Sequence, residues 1–307
     1  MKAKIFLNVF NIHGLALVFA IVTQIETGVL AEDFDFPAAS AAAANGDAKA
    51  QYEAARCYEK GIGVEQDYAK AAALMRQSAD QGYAAAESQL GYYYGHGLGV
   101  GKDHNEATKW FMKGATHGNA IAQFALGNFY SAGMGVPKNP DEAVKWWQKA
   151  ADQNRAEAQD ALGQMYFQAG LTNPASYKEA AHWLRKAAEQ GFVGSMNNLG
   201  CLYEHGWGGQ LDYQEAAKWY RTAAEQGITK AQVNLGLMYV DGRWGTNNDL
   251  VQGVAWLKVS DRLGSPFGRK WLLDYEPMLD TNQIPKVNQL VTELTEQINK
   301  NQSAKAK

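Results

Sequence analysis

Six histidines and two cysteines are the metal- and nucleophile-forming side chains of this 307-residue chain, and their spacing brings none of them together. His96 and His205 each precede a turn glycine but stand far apart, and His104, His117 and His182 are isolated. No His-x3-His or Cys-x2-Cys spacing occurs, so no metal site is read. The glycine-rich run Gly95-His-Gly-Leu-Gly-Val follows a helical pattern rather than a strand, which removes it as a phosphate cradle. A Gly-x-Ser-x-Gly nucleophile elbow is absent. Cys57 and Cys201 stand four repeats apart; at about 10 Å per repeat they lie well beyond the ~7 Å reach of a disulfide and are expected unpaired. The reading is of a protein that is not an enzyme and uses no cofactor.

The same residues fall into a unit that recurs six times at spacings of 36 or 37. An apolar column holds Ala54, Leu90, Leu126, Leu162, Leu199 and Leu235. Four residues on, an aromatic column has no exception: Tyr58, Tyr94, Tyr130, Tyr166, Tyr203 and Tyr239. A spacing of four sets both on one helical face. Three later comes a turn glycine (Gly61, Gly97, Gly133, Gly206, Gly242), with Ala169 the exception; glycine enters the left-handed region that closes a helix. Asp67, Asp103, Asn139, Ser176, Asp212 and Asp249 then occupy an N-cap column, with Glu106, Glu142, Glu179, Glu215 and Gln252 at capping-box spacing. Pro140 suits a first helical position. Leu74 and the indoles Trp110, Trp146, Trp183, Trp219 and Trp256 follow, and Gly82, Gly118, Asn154, Gly191, Gly227 and Gly264 end the second helix. The leucine, tyrosine and tryptophan columns are predicted to be structural, packed between stacked hairpins.

The Leu-Gly-x-x-Tyr of the first helix, the Gly-x-Gly-Val turn (Gly97–Val100, Gly133–Val136) and the Ala-Ala-Glu-Gln-Gly ending (187–191, 223–227) resemble the Sel1-like repeat, a relative of the tetratricopeptide repeat. The resemblance covers about residues 46–264 and implies an all-α fold, a right-handed α/α superhelix (solenoid) of six helical hairpins used for binding. The units are approximately 47–82, 83–118, 119–154, 155–191, 192–227 and 228–264. Without a cysteine pair in each repeat, the chain departs from the disulfide-stapled branch of that family.

Outside the array, Lys2 and Lys4 precede an apolar run from Ile5 to Val22, and Val29-Leu30-Ala31 stand before Glu32 and Asp33. Residues 1–31 read as a secretory signal peptide, with an uncleaved anchor facing the periplasm as the rival. Cleavage removes two lysines and Glu26, moving the net charge from −3 to −4. No basic patch for nucleic acid or anionic lipid is present, and the membrane is met only through an uncleaved N-terminus. Residues 32–46 read as a linker, 265–300 as C-terminal cap helices with Lys286–Asn299 the last, and 301–307 as a disordered tail. The irregular turns at Leu171–Pro174 and Gly242–Gly245 read as contact sites or as drift.

By the resemblance to tetratricopeptide arrays, first helices line a concave face. Positions around the leucine column that are free of packing then give Tyr52, Arg56, Lys60, Tyr92, His96, Phe124, Asn128, Asp160, Gln164, Asn197, His205, Val233 and Asp241 as a partner-binding lining. Aromatics beside amides suit an extended peptide or an exposed helix. The expectation is an exported scaffold, adaptor or regulator, periplasmic or secreted, that binds a protein or peptide. A secreted effector acting on host proteins and a cell-envelope hydrolase are the alternatives.

Overall fold

The computed structural model describes residues 35–243 and 248–305. The signal-peptide reading of 1–31 and part of the turn after Gly242 lie outside the described residues. Among the described residues every regular element is helical. Helix α1 (Phe36–Ala44) precedes six hairpins. These are α2/α3 (Ala48–Lys60, Tyr68–Asp80), α4/α5 (Ala84–His96, His104–Thr116), α6/α7 (Ala120–Ala132, Pro140–Asp152), α8/α9 (Ala156–Gly170, Ser176–Glu189), α10/α11 (Val193–His205, Tyr213–Glu225) and α12/α13 (Thr229–Asp241, Leu250–Arg262). Helix α14 (Pro266–Tyr275), a 3-10 turn (Glu276–Met278) and α15 (Ile284–Lys305) follow. None of the described helices is long and apolar enough to cross a membrane. The chain divides into two compact units, one through Ala158 and one from Gln159 onward.

In the first unit each helix packs against its sequence neighbours, most closely inside a hairpin. The leucine column lies at the centre, with Leu90 and Leu126 at 0% exposure. Beside it, Gly91 and Gly127 receive the large residues that follow the tryptophan column, Phe111 and Trp147. A β-carbon on Gly91 would stand 2.8 Å from the Phe111 ring, so glycine is required for the two helices to close. The second unit repeats this: Gly163 faces Leu184, Gly200 faces Tyr220 and Gly236 faces Leu257.

The turns are closed by a bond that the sequence pattern hides. In five hairpins the cap residue's N–H donates to the tyrosine carbonyl across the turn: Asp67 to Tyr58, Asp103 to Tyr94, Asn139 to Tyr130 and Asp212 to Tyr203 at 2.9 Å, and Asp249 to Tyr239 at 3.0 Å. This corrects the capping-box reading. With the cap N–H already taken, Glu106 and Glu142 turn forward to Lys109 and Lys145 at 2.5 Å, and Glu215 turns to Lys218 at 3.2 Å. The cap side chains themselves behave as expected, Asp103 Oδ1 accepting from Asn105 N at 2.8 Å and Glu106 N at 3.1 Å. Ser176 is a second correction. It is the first helical residue of α9, which has no side-chain cap, while Asn173 Oδ1 accepts from Ala175 N at 3.3 Å.

Depth is also displaced by one residue from the expected columns. Tyr94, Tyr130, Tyr166, Tyr203 and Tyr239 are half-buried, as are Trp146 and Trp219; Trp110, Trp183 and Trp256 are buried. Besides the leucine column, the deepest large side chains are their neighbours Tyr93, Phe129, Met238, Met75, Leu184, Tyr220 and Leu257. The tyrosine hydroxyls are drawn outward by arginines of the preceding hairpin: Arg76 donates to Tyr94, and Arg185 and Arg221 donate to Tyr203 and Tyr239 at 2.6 Å. The indoles carry lysines on their outer faces, Lys113 at 3.9 Å from Trp110 and Lys149 at 4.1 Å from Trp146.

The flanks differ from expectation too. Residues 32–46 do not form a plain linker: Phe36–Ala44 is helical because alanine is the strongest helix former, Pro37 falls in the first turn and Asp35 Oδ1 accepts from Ala38 N at 3.3 Å. Helix α15 runs to Lys305 rather than giving way to a disordered tail at residue 301. Val287, Val291 and Ile298 are buried as it packs along α13 and α11, and Asn301 Nδ2 donates to the Glu225 carbonyl at 2.9 Å. Leu273 stays 74% exposed.

Two stability tests follow from this packing. Trp147→Ala should cost about 3–5 kcal/mol, whereas Trp146→Ala, half-buried under Lys149, should cost roughly 1–2 kcal/mol, read from urea midpoints at unchanged slope. Gly99→Ala forces a left-handed φ of +64° on a residue with a β-carbon and drives that carbon into the Tyr68 carbonyl. It should cost at least about 2 kcal/mol, against roughly 1 kcal/mol for Gly118→Ala, where φ is +86° and nothing lies within 4 Å. Equal losses would contradict the contact.

Candidate functional site

The face presented by the first helices carries the residues that the columns leave over. In the first unit it is less open than a bare groove: Arg56, Tyr92, Phe124 and Asn128 are only 5%, 8%, 6% and 8% exposed, Tyr52 and His96 are half-buried and Lys60 is exposed. Each buried member is held by a neighbour. Tyr52 packs against Tyr83 with centroids 5.4 Å apart. Arg56 Nε lies 3.4 Å from Glu59 Oε2, and Glu59 also accepts from Gln89 Nε2 of the next hairpin at 3.2 Å. Asn128 Oδ1 accepts from the Trp147 indole at 3.0 Å, which assigns that amide to orienting a core ring. Phe124 has the Arg155 guanidinium 5.7 Å from its ring.

His96 and Tyr92 form a tilted ring pair, centroids 3.9 Å apart with planes at 38°, and His96 Nδ1 lies 2.8 Å from the Tyr92 carbonyl oxygen. Burial lowers the imidazole pKa from 6.5, with Lys102 and His104 acting in the same direction and the Tyr92 carbonyl opposing. Burial raises the Tyr92 phenol, helped by the Glu59 charge.

In the second unit Asp160, Asn197 and Val233 are 6%, 8% and 6% exposed, His205 is half-buried, and Gln164 and Asp241 are exposed. Asp160 accepts from Ser195 Oγ and from Gln164 Nε2, each at 2.5 Å. Asn197 Oδ1 accepts from Asn234 Nδ2 at 3.1 Å, tying consecutive first helices. His205 stacks on Trp207 (4.4 Å), which stacks on Tyr177 (4.8 Å, planes 9° apart).

A cluster that sequence reasoning missed lies beside these. Tyr220 Oη donates to Glu204 Oε2 at 2.7 Å and lies 3.1 Å from Cys201 Sγ. Arg243 Nη1 reaches Glu204 Oε1 at 2.5 Å while its Nη2 reaches Asp241 at 2.5 Å. Withdrawal from water pushes the Cys201 thiol up to about 12, although Tyr220 opposes, so at neutral pH it is not a thiolate. For Arg243 burial acts downward, but Glu204 and Asp241 outweigh it and its pKa is raised. The only sequence signal was the irregular turn that contains Arg243, and its partner 39 residues earlier belongs to no column. What both units offer is recognition chemistry: packed rings, amides and fixed ion pairs.

The Sel1 repeat profile matches residues 48–83, 84–119, 120–154, 156–192, 193–228 and 229–260. No curated protein matches the chain. Among solved structures, a protective antigen present in uropathogenic Escherichia coli strains, displaying an SLR fold, is 34% identical over 94% of this chain, with a TM-score of 0.77. This chain spans 62% of that antigen's length. A Sel1 repeat protein from Oxalobacter formigenes is 31% identical, covering 71% of this chain and 88% of its own, with a TM-score of 0.60.

The buried imidazole supplies a pH test. Because the folded pKa of His96 lies below its unfolded value near 6.5, the unfolded chain takes up the proton first. His96 therefore costs nothing well above pH 6.5 and destabilises progressively as pH falls below it. The His96 ring resonances should titrate with a midpoint below 6.5, and His96→Gln should flatten the fall in stability between about pH 6.5 and 5. A midpoint at or above 6.5 would contradict the burial.

Proposed function

The chain belongs to the Sel1 repeat family, whose solenoid folds generally serve as protein–protein interaction scaffolds, and from that premise we propose that it is an exported adaptor or regulator binding a partner protein or peptide along the first-helix face of its hairpins. One observation carries the reading: column positions are committed to packing, whereas the first-helix face changes residue type from hairpin to hairpin while keeping its side chains fixed. Uniform solvation has no use for Tyr92 on His96, Asn234 on Asn197 or Trp207 on Tyr177. A peptide does, because rigid aromatic and amide contacts lower the entropy lost on binding.

Export is supported by the Lys2/Lys4 start, the apolar run and the Ala31–Glu32 junction. The similarity to a protective antigen points the same way, since an antigen that protects is met from outside the cell. The periplasm or the exterior is therefore the proposed location, with residues 1–31 removed.

A photo-crosslinking residue placed at Lys60 or Gln164, both exposed on this face, should capture a discrete partner in the native organism, whereas one at exposed Lys109 on a second helix should not. Lys60→Glu should lower capture about fivefold, on the order of 1 kcal/mol, without moving the thermal midpoint. Identical capture from both faces, or none from either, would remove the proposal; a mature N-terminus other than Glu32 would remove the cleavage.

A further inference from the structure

The first repeat contains a cell from which a ring is missing. In the second repeat Trp110 packs among Met75, Ala79, Ala86 and Leu90, with Arg76 5.2 Å and Lys113 3.9 Å from the ring. Thirty-six residues earlier, the same positions hold Leu74 for the indole, Ala39 for the methionine and Ala54 for the leucine, with Ala43 and Ala50 unchanged. They form a cluster of their own, so the cell exists but is built from smaller parts. The two flanking cations become Ser40 and Gln77. The space is not taken up by closer approach of the helices: an open cleft of about 340 Å³ remains between α1, α2 and α3, lined by Ser40, Ala43, Ala54, Tyr58, Leu74 and Gln77 among others.

The cleft is open to solvent on one side, and its apolar floor is the counterpart of the wall on which Trp110 sits in the second repeat. We propose that this cleft is a binding site for a neutral aromatic ring of indole size, which fills the place that Trp110 fills for the second repeat. The walls Ala43, Ala54 and Leu74 are apolar, and the rim replaces two cations with a hydroxyl and an amide. That chemistry suits a ring bearing one N–H or O–H donor, which Ser40 or Gln77 would accept, and does not suit an anion. None of the residues lining the cleft belongs to the first-helix lining named above, and the site stands or falls apart from the proposal made for it.

The probes are indole and N-acetyl-tryptophanamide, titrated into the full chain and followed by calorimetry and by shifts of Ala43 and Ala54 methyl resonances. Saturable one-site binding is expected, weakened at least about tenfold by Leu74→Trp, which supplies the ring from within, and by Ala54→Leu, which restores the leucine column. Both variants should raise the thermal midpoint. Tighter binding of the amide identifies a tryptophan side chain of a polypeptide as the source, and tighter binding of indole a free small molecule; either supports the site. Absence of saturable binding by both probes, or binding unchanged in the two variants, overturns it.

Discussion

Five of the six hairpins close on the same contact, a large side chain of the second helix seated on a glycine of the first, and the first hairpin sets Met75 against Ala55. Phe111 on Gly91, Trp147 on Gly127, Leu184 on Gly163, Tyr220 on Gly200 and Leu257 on Gly236 are one contact made with four kinds of side chain. Because the glycine has no side chain, the ring or branch reaches the helix backbone, and the leucine one residue earlier is sealed from water on every side. Hydrophobic burial scales with the area removed, so the deepest contact carries the most stabilisation per residue. The turn glycines extend the same economy of size between hairpins, Gly99 lying against the Tyr68 carbonyl and Gly135 against that of His104.

This explains what the residue pattern revealed and what it concealed. The six hairpins, their turns and most caps were legible, because glycine and aspartate have narrow backbone roles that repeat with the unit. Depth was not. Several of the recurring aromatics keep a polar or cationic engagement, an arginine on the hydroxyl of Tyr94, Tyr203 and Tyr239 or a lysine on the indole of Trp110, Trp146, Trp183 and Trp219. The engaged tyrosines, Trp146 and Trp219 are half-buried, while Trp110 and Trp183 are buried beneath their lysines. The truly buried neighbours vary from cysteine to phenylalanine to methionine (Cys57, Phe129, Met238), since buried volume is shared between facing side chains and only its sum is constrained. The leucine column was core as read, whereas beside it the recurring aromatics lie nearer the surface than their variable neighbours.

The same holds for polar pairs about thirty residues apart. Gln81 donates to Gln51 at 2.8 Å, Gln153 to Gln123 at 2.7 Å and Gln190 to Gln159 at 2.7 Å, each joining the end of a second helix to its own first helix. In the second hairpin both partners change together: Glu87, almost wholly buried, meets His117 Nδ1 at 2.7 Å. Read along the sequence, His117 is a solitary histidine at a helix end; in space it is half of a rung in which a carboxylate replaces one amide and an imidazole the other. A buried carboxylate without that partner would be costly, so neither substitution is sensible alone.

The first-helix face follows from these ties. Gln89 on Glu59 joins the first two hairpins, Ser195 on Asp160 joins the fourth and fifth, and Asn234 on Asn197 with Arg243 on Glu204 joins the fifth and sixth. A side chain whose polar atoms are already satisfied by the next hairpin gains little by reaching for a ligand. It contributes instead by holding shape, while Lys60, Gln164 and Asp241 remain exposed at its margins. Binding there would draw on rings and ion pairs set in place by folding, so little side-chain freedom is left to lose. Selectivity on such a face rests on which polar atoms stay unmatched when the wrong partner arrives, because an unpaired buried amide or charge costs more than a matched one gains. The packing that makes the array regular and the recognition that makes one array differ from another are therefore set by the same inter-hairpin bonds.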